Sequence, residues 1–295
     1  MRVLADRSAW AMFLFIPLLC QPRPAASVEY DVVFEATWSA ETHPGAYLPA
    51  AHFCPLIGAV HNDSVTFWEV GGIATPGIES MAETGATSTL AAEYAAAGSN
   101  VIDTIVGSTI TSPRSSPTTF TIEETHPLVT LVTMIAPSPD WFVGVDSLSL
   151  RDGNAWIGQT AVELFAYDAG TDSGIAFQSP NADMTPHIAI ALLQGPVDGE
   201  TELGTFTFTL RPEGDFNGDL IVSGADFLFW QQDPSIGRLA DWQANYGRVG
   251  SPPDSVQSVP EPAALTLCLI CISLACISQL RAAAAGSLSL APRPA

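Results

Sequence analysis

Short runs of alternating apolar and polar residues occupy the chain between Val28 and Leu210. Examples are YDVVFEATWS, TFTIEE, WFVGVDSLSL, AVELFAYDA and GTFTFTL. A period of two is typical of a strand with one buried face, and Gly, Pro, Asn and Asp separate the runs at short intervals. The pattern predicts a mainly β fold over residues 28–210, an antiparallel β-sandwich.

Two segments depart from the alternation. Gly77–Gly98 is rich in Ala and Glu and poor in β-branched residues, which predicts one or two short helices. Thr109–Thr119 contains Pro113 and Pro117 and is predicted to be an exposed loop.

Charge excludes several classes of function. The 295 residues include 31 acidic and 10 basic side chains, a formal net charge of −21, and every basic residue is arginine. A chain without lysine has no P-loop lysine, no Schiff-base lysine and no serine–lysine dyad. It also lacks the clustered positive charge that nucleic acid requires, so no nucleic-acid partner is expected. Strong acidity suits divalent cations instead.

The N-terminal segment has the features of a secretory signal. The apolar core Ala9–Leu19 follows Arg2 and Arg7, and small residues precede a predicted cleavage near Ser27. This core is shorter than the roughly 20 residues that a spanning helix needs. We therefore interpret residues 1–27 as a signal peptide and expect an exported protein.

The C-terminal segment has the features of a sorting tail. A Pro/Ser linker over 250–262 ends in the motif Val259-Pro-Glu-Pro262, residues 263–281 form an apolar transmembrane segment closed by Arg281, and 282–295 form a short tail. This order resembles the PEP-CTERM signal, which implies an exosortase as the processing partner. The alternative is an ordinary C-terminal membrane anchor. Both interpretations place the mature protein outside the cytoplasmic membrane.

Three longer segments carry a family resemblance. They are FEATWSAETHPGAYLPAAHFCPLIGAVHN, MIAPSPDWFVGVDSLSL and YDAGTDSGIAFQSPN. Together they resemble the spondin N-terminal domain of the F-spondin and mindin type, over about Val28–Leu210. The resemblance implies a β-sandwich with a calcium site in loops at one end, used in adhesion rather than catalysis.

Aspartates in these segments are the candidate calcium ligands of the sandwich. Asp140 follows a Pro-Ser-Pro segment at the entrance of a strand, and Asp168 and Asp172 lie in a Gly-containing loop after the strand AVELFAY. Calcium takes about six to eight oxygens, often from neighbouring loops. Asp146 is a further candidate, and Glu123 is a candidate for a third loop. The alternative is that these aspartates only hydrogen-bond their own turns.

A second candidate site lies in the segment DFNGDLIVSGAD. Its spacing matches an EF-hand loop, with ligands at positions 1, 3, 5, 7, 9 and 12. The corresponding residues are Asp215, Asn217, Asp219, Ile221 through its carbonyl, Ser223 and Asp226.

The segment 211–249 resembles a dockerin-like module with half an EF-hand. Two features depart from a full dockerin: a second calcium loop is missing, and Leu220 occupies position 6, where glycine normally provides the positive φ of the turn. A non-glycine residue there costs about 1 kcal/mol, which predicts weakened rather than abolished calcium binding. The alternative is a decayed loop held by turn hydrogen bonds.

Histidine and cysteine suggest other chemistry. His43, His52 and His61 recur every nine residues, but no pair has the close spacing of a zinc site, and hydrogen-bonding roles are expected. Cys54 beside His52 would allow a nucleophile–base pair, although its apolar surroundings favour a packed small side chain.

These features predict a non-catalytic, calcium-binding protein of the cell surface or extracellular matrix. It would act in adhesion or assembly, with an extracellular glycan or protein as ligand. A secreted polysaccharide-active hydrolase carrying a dockerin-like module is the alternative. A structural coat component, in which calcium only stiffens the fold, is a third possibility.

Overall fold

The computed structural model describes residues 27–195, 197 and 201–250. Apart from Ser27 and Gly250, the predicted signal peptide, linker, transmembrane segment and tail lie outside the described residues. No helix within the described ranges is long and apolar enough to cross a membrane.

The elements follow one another in a mainly β order. The strands are β1 Ser27–Ala36, β2 His52–Phe53, β3 Ile57–His61, β4 Val101–Val106, β5 Ile110–Thr111, β6 Arg114–Glu123, β7 Leu128–Ala136, β8 Trp141–Ser149, β9 Arg151–Asp152, β10 Ala155–Trp156, β11 Gln159–Leu164, β12 Tyr167–Asp168, β13 Ala191–Leu192 and β14 Gly204–Leu210. The α-helices are α1 Pro76–Thr84, α2 Ser88–Ala96, α3 Gly224–Gln232 and α4 Leu239–Asn245.

Two antiparallel sheets form the sandwich, as the alternation predicted. One has the order β11-β14-β1-β6, and the other has the order β13-β12-β8-β7-β2-β5, with β3 pairing β7 and β4. Strand β1 alternates exposed or half-buried residues with the buried Tyr30, Val32, Phe34 and Ala36. These side chains contribute to an aromatic core between the sheets, where Phe34 packs edge-on against Phe206.

Strand β7 is buried along almost its whole length. Its residues after Leu128 are all buried, since the second sheet is covered on its outer face by α1 and α2. Thr75 caps the start of α1, and the helix ends at Gly85 with φ +70°. The two helices confirm the helical prediction for Gly77–Gly98.

The loop prediction for Thr109–Thr119 is wrong. This segment contains β5 and the first half of β6, which pairs with β1 so that Pro117 faces Val33. Proline lacks an N–H but is tolerated on an edge strand, and β6 is the edge of its sheet.

A small helical unit follows β14. Phe227 of α3 and Trp242 of α4 have ring centroids 5.0 Å apart, and Trp242 meets Tyr246 edge-on at 5.2 Å. Arg211 joins this unit to the sandwich: its Nε donates to Asp31 Oδ2 at 2.9 Å, and its guanidinium lies against the backbone of Gly218.

Replacing a side chain buried between the second sheet and the helices α1 and α2 tests the packing of that layer. Ile57 is fully buried, and Ile175 is 84% exposed. We expect Ile57→Ala to lower the free energy of unfolding by about 2–5 kcal/mol, because it leaves a cavity. The matched control Ile175→Ala is expected to stay within about 0.5 kcal/mol. Urea unfolding measures both, and equal losses would contradict the described core.

Candidate metal centres

Asp140 ties two loops together at one end of the sandwich. It directly precedes β8, and its side chain is fully buried. Asp140 Oδ2 accepts the backbone N–H of Thr171 at 2.8 Å and that of Asp172 at 3.1 Å. The hydroxyl of Thr171 donates to the same oxygen at 3.3 Å. The carboxylate thus fixes the loop that carries the other predicted ligands.

Asp168 stands beside this loop at the end of β12. The strand pairs Asp168 with Trp141, and Asp168 Oδ1 accepts the N–H of Gly170 at 2.8 Å. Burial, followed by the negative charges of Asp140 and Asp172, raises the pKa of Asp168 to about 6. A positive ion beside Asp168 would favour its ionised form and lower its pKa.

Asp172 is held by its own turn and by a neighbouring segment. Its Oδ1 accepts the N–H of Gly174, and its Oδ2 accepts the N–H of Ala182, each at 2.6 Å. Asp172 also forms an isolated β-bridge with Asp183. These contacts match the turn alternative, yet they keep Asp172 against Asp140.

Two buried carboxylate oxygens in this region have no hydrogen-bond partner. They are Asp140 Oδ1 and Glu83 Oε1. Burial raises the pKa of Glu83, and the charges of Glu79, Asp183 and Asp172 raise it further. Burial likewise raises the pKa of Asp140. Buried oxygens without donors are uncommon, and a proton, an ordered water or a cation can satisfy them.

Glu83 is not among the ligands predicted from the sequence. It lies in α1, far along the chain from the aspartates, and only the packing of that helix on the sheet brings it close. No local motif marks it.

Two of the predicted ligands lie elsewhere. Glu123 ends β6 and pairs with Ser27, at the opposite end of the sandwich from Asp140. Asp146 lies within β8, where Ser147 donates to its carboxylate at 2.7 Å and where burial raises its pKa. The structure therefore separates both from the loop cluster.

Asp146 faces a lateral groove between the edges of the two sheets. The groove has a volume of about 580 Å³, is lined mainly by β8 and β11, and includes Trp68 and Glu163. Ser147 is held at φ +47°, its N–H donates to the Thr130 hydroxyl at 3.0 Å, and the pairing of β7 with β8 shifts register nearby. This bulge directs Asp146 to its position.

The loop 215–226 brings three carboxylates together. Asp215, Asp219 and Asp226 each offer an oxygen within 4.8 Å of the others, which is closer than the sandwich aspartates come to one another. Asp215 and Asp226 are buried, whereas Asp219 is exposed. Burial, followed by the charge of Asp226, raises the pKa of Asp215.

Backbone amides already satisfy many oxygens of this loop. Asp226 accepts from the N–H groups of Phe216, Asn217 and Ser223 at 2.9, 3.2 and 2.7 Å. Asp215 accepts from those of Gly218, Asp219 and Leu220 at 2.8, 3.2 and 2.9 Å. The loop is thus closed by its own hydrogen bonds.

The remaining predicted ligands have local roles. Asn217 Nδ2 donates to Asp219 Oδ2 at 3.1 Å, and the N–H of Ile221 donates to Asp219 Oδ1 at 2.9 Å. Ser223 caps α3 in a capping box with Asp226. Ile221 also bridges Val249, which joins the loop to the chain after α4.

Leu220 adopts the conformation that position 6 demands. Its φ is +65°, and it is one of two non-glycine residues with positive φ in the described chain. The turn therefore forms without glycine, at a cost of about 1 kcal/mol.

The sandwich and its loops match a known family. The family model Spondin_N matches residues 28–201, and the chain belongs to this family. Spondin-2 of Homo sapiens is 37% identical over 175 residues, which is 57% of this chain and 52% of that protein. Spondin-2 of Rattus norvegicus is 36% identical over 199 residues, covering 61% and 60%.

Spondin-1 of Rattus norvegicus is 32% identical over 170 residues, covering 54% of this chain and 21% of that protein. The chain therefore spans about half the length of human Spondin-2 and about a fifth of Spondin-1. The matched residues include Asp140, Asp168 and Asp172 and end before the small helical unit.

The pH dependence of stability tests the surroundings of Asp168. Its pKa is raised from 3.8 to about 6 on folding, so the folded state holds this proton more tightly than the unfolded state. In metal-free protein we expect the protonated Asp168 carboxyl to stabilise the folded state below about pH 4. This stabilisation is lost as the pH rises through 6. The loss is on the order of 3 kcal/mol.

Urea unfolding between pH 4 and 7 measures this loss. Asp168→Asn removes this titrating group and is expected to reduce the loss of stability between pH 4 and 7, while the exposed control Asp152→Asn leaves it unchanged. Parallel profiles for the parent and Asp168→Asn would contradict the assignment.

Proposed function

We propose that this protein is an exported, non-catalytic calcium-binding protein that acts in adhesion or assembly at the cell surface or in the extracellular matrix. The observation that carries the proposal is the pair of buried, unpartnered oxygens, Asp140 Oδ1 and Glu83 Oε1. Asp140 lies beside Asp168, and Glu83 lies near Asp172, in a domain of the Spondin_N family. Their arrangement favours a bound cation over a reacting substrate.

Calcium is the ion that the sandwich loops suit best. The donors are carboxylates, and a hard cation of flexible coordination accepts them together with backbone carbonyls and water. Asp140, Asp168 and Asp172 would supply the charge, and Glu83 would approach from α1. A bound cation would offset the burial, and the repulsion between carboxylates, that raise the pKa of Asp168 and Glu83.

The small helical unit is proposed as a second, weaker calcium site of dockerin-like type. Asp215, Asp219 and Asp226 would bind the ion with Asn217 and the carbonyl of Ile221. Each carboxyl oxygen can accept more than one contact, so the amide hydrogen bonds leave lone pairs for a cation. An affinity of about 10⁻⁴–10⁻³ M, as in extracellular calcium modules, fits this loop.

Export and anchoring rest on the ends of the chain. The signal-like segment 1–27 would direct secretion, and the PEP-CTERM-like segment after Val259 would be processed by an exosortase or hold the protein at the membrane. The ligand would be an extracellular glycan or protein. A net charge of −21 favours a basic surface or one bridged by calcium.

The alternative function, a polysaccharide-active hydrolase, would place catalysis in the groove. Asp146 and Glu163 both line it, and two carboxylates are the usual catalytic pair of glycosidases. The groove lining is mostly apolar, and Ser147 engages Asp146 through a hydrogen bond. These features favour a structural or binding role.

Thermal unfolding with and without calcium tests the metal sites. Saturation at about 100 times the dissociation constant is expected to raise the free energy of unfolding by about 2.7 kcal/mol. Asp140→Asn is expected to abolish the stabilisation of the sandwich, and Asp226→Asn that of the small unit. Exposed Asp152→Asn is the control for charge.

Two outcomes would overturn the calcium proposal. One is an unfolding transition that neither calcium nor a chelator moves. The other is a calcium shift that is the same in Asp140→Asn, Asp226→Asn and the parent, which would indicate diffuse binding to acidic surface.

Binding and hydrolysis assays separate adhesion from catalysis. We expect calcium-dependent retention on immobilised glycans or matrix proteins, lost in Asp140→Asn and kept in Asp146→Asn and Glu163→Gln. Release of sugar from a polysaccharide panel, abolished by Asp146→Asn and Glu163→Gln, would instead establish the hydrolase.

A further inference from the structure

Three side chains that can bind a soft or borderline metal ion lie close together at the end of β2, where it runs beside β7. They are His52, Cys54 and Met134. His52 and Cys54 are two residues apart and therefore share one face of the extended chain. The register pairs Phe53 with Ile135, and the N–H of Cys54 donates to the carbonyl of Met134 at 3.2 Å. Cys54 Sγ lies 3.8 Å from His52 Nε2 and 3.7 Å from Met134 Sδ.

The imidazole of His52 is oriented as a ligand. Its Nδ1 lies 2.9 Å from the carbonyl oxygen of Ala50, which can only accept a hydrogen bond. Nδ1 therefore carries the proton, and in the neutral ring the lone pair of Nε2 is directed towards Cys54. A backbone carbonyl holding the far nitrogen in this way is the usual arrangement for metal-binding histidines.

We propose that His52, Cys54 and Met134 bind one copper(I) ion. Thiolate and thioether sulfurs select copper(I), and imidazole is a suitable third donor. With metal–nitrogen and metal–sulfur bonds of about 2.0–2.3 Å, donors that share one ion stand about 3.5–4 Å apart. The separations from Cys54 Sγ lie in this range. Calcium requires oxygen ligands, so this site is distinct from the acidic loops.

The surroundings suit a protected but reachable ion. Met134 is buried, whereas His52 and Cys54 are half-buried and open to solvent on one side. Gly85, at the end of α1, leaves room for the sulfur because a Cβ there would overlap Cys54 Sγ.

Binding exchanges a proton for the ion. The thiol of Cys54 loses its proton to water as the copper–sulfur bond forms, and copper stays in the +1 state. Burial raises the pKa of the Cys54 thiol, which opposes a role as a free thiolate nucleophile. A tightly held soft cation can still displace the proton.

Copper(I) titration tests the site. Cys20, Cys268, Cys271 and Cys276 lie outside the described residues and are changed to serine, so that Cys54 is the sole thiol. Anaerobic competition with bicinchoninate is expected to give one equivalent bound. Cys54→Ser is expected to abolish binding, and Met134→Leu and His52→Gln each to weaken it at least about tenfold.

Met81→Leu is the matched control, because Met81 is a buried methionine of the same apolar cluster. It is expected to bind copper(I) as the parent does. Unchanged affinity in both Met134→Leu and His52→Gln would overturn the proposal and indicate a simple thiol adduct, as would binding that survives Cys54→Ser.

X-ray absorption at the copper edge adds a measurement that needs no ligand variant. Two sulfur neighbours and one nitrogen neighbour are expected in the copper(I)-loaded parent. A shell of sulfur alone, or one dominated by oxygen, would overturn the assignment even where a variant fails to fold.

Discussion

Burial of β7 on both faces is the constraint on which the other features depend. One face packs into the core between the sheets and the other beneath α1 and α2, while β8 and β3 pair with its two edges. A strand held on every side has little freedom to slip in register. The end of β7 therefore fixes where the chain segment that leads to Asp140 begins. Within the strand, Thr130 accepts a hydrogen bond from Ser147 in the β8 bulge, and Met134 contacts Cys54.

The two acidic centres differ in how many of their carboxylate oxygens accept hydrogen bonds. In the sandwich, Asp140 uses one oxygen to hold Thr171 and Asp172 and leaves the other buried without a donor. In the small unit, both oxygens of Asp226 already accept backbone N–H groups. The first arrangement leaves one oxygen able to accept a proton, a water or a cation, whereas backbone hydrogen bonds already close the second loop. If both centres bind calcium as proposed, this difference predicts tighter binding in the sandwich.

The sequence predicted what depends on local pattern. Alternation identified the sandwich, and the Ala- and Glu-rich segment identified α1 and α2. The spacing of the second loop placed Asp215, Asp219 and Asp226 together. The features that the sequence did not predict depend on contacts between residues distant in sequence. Pro117 is tolerated in β6 because that strand lies at the edge of its sheet. Glu83 comes close to the aspartates only because α1 packs on the sheet. The bulge that directs Asp146 to the groove likewise has no local signature.

Strand β14 runs from the end of the sandwich with the acidic loops to the end that joins the small helical unit. Its first residue, Gly204, pairs with Ala36 and Leu164 near the acidic loops, and its last, Leu210, pairs with Tyr30 next to the link to the small unit. In the proposed function, a ligand held at the loops and a tether beyond Leu210 would load the sandwich from its two ends, along the direction of β14. Such a load shears the hydrogen bonds to β1 and β11 all together instead of peeling them one by one. Under the proposed adhesion function, this geometry would let the domain resist tension along β14.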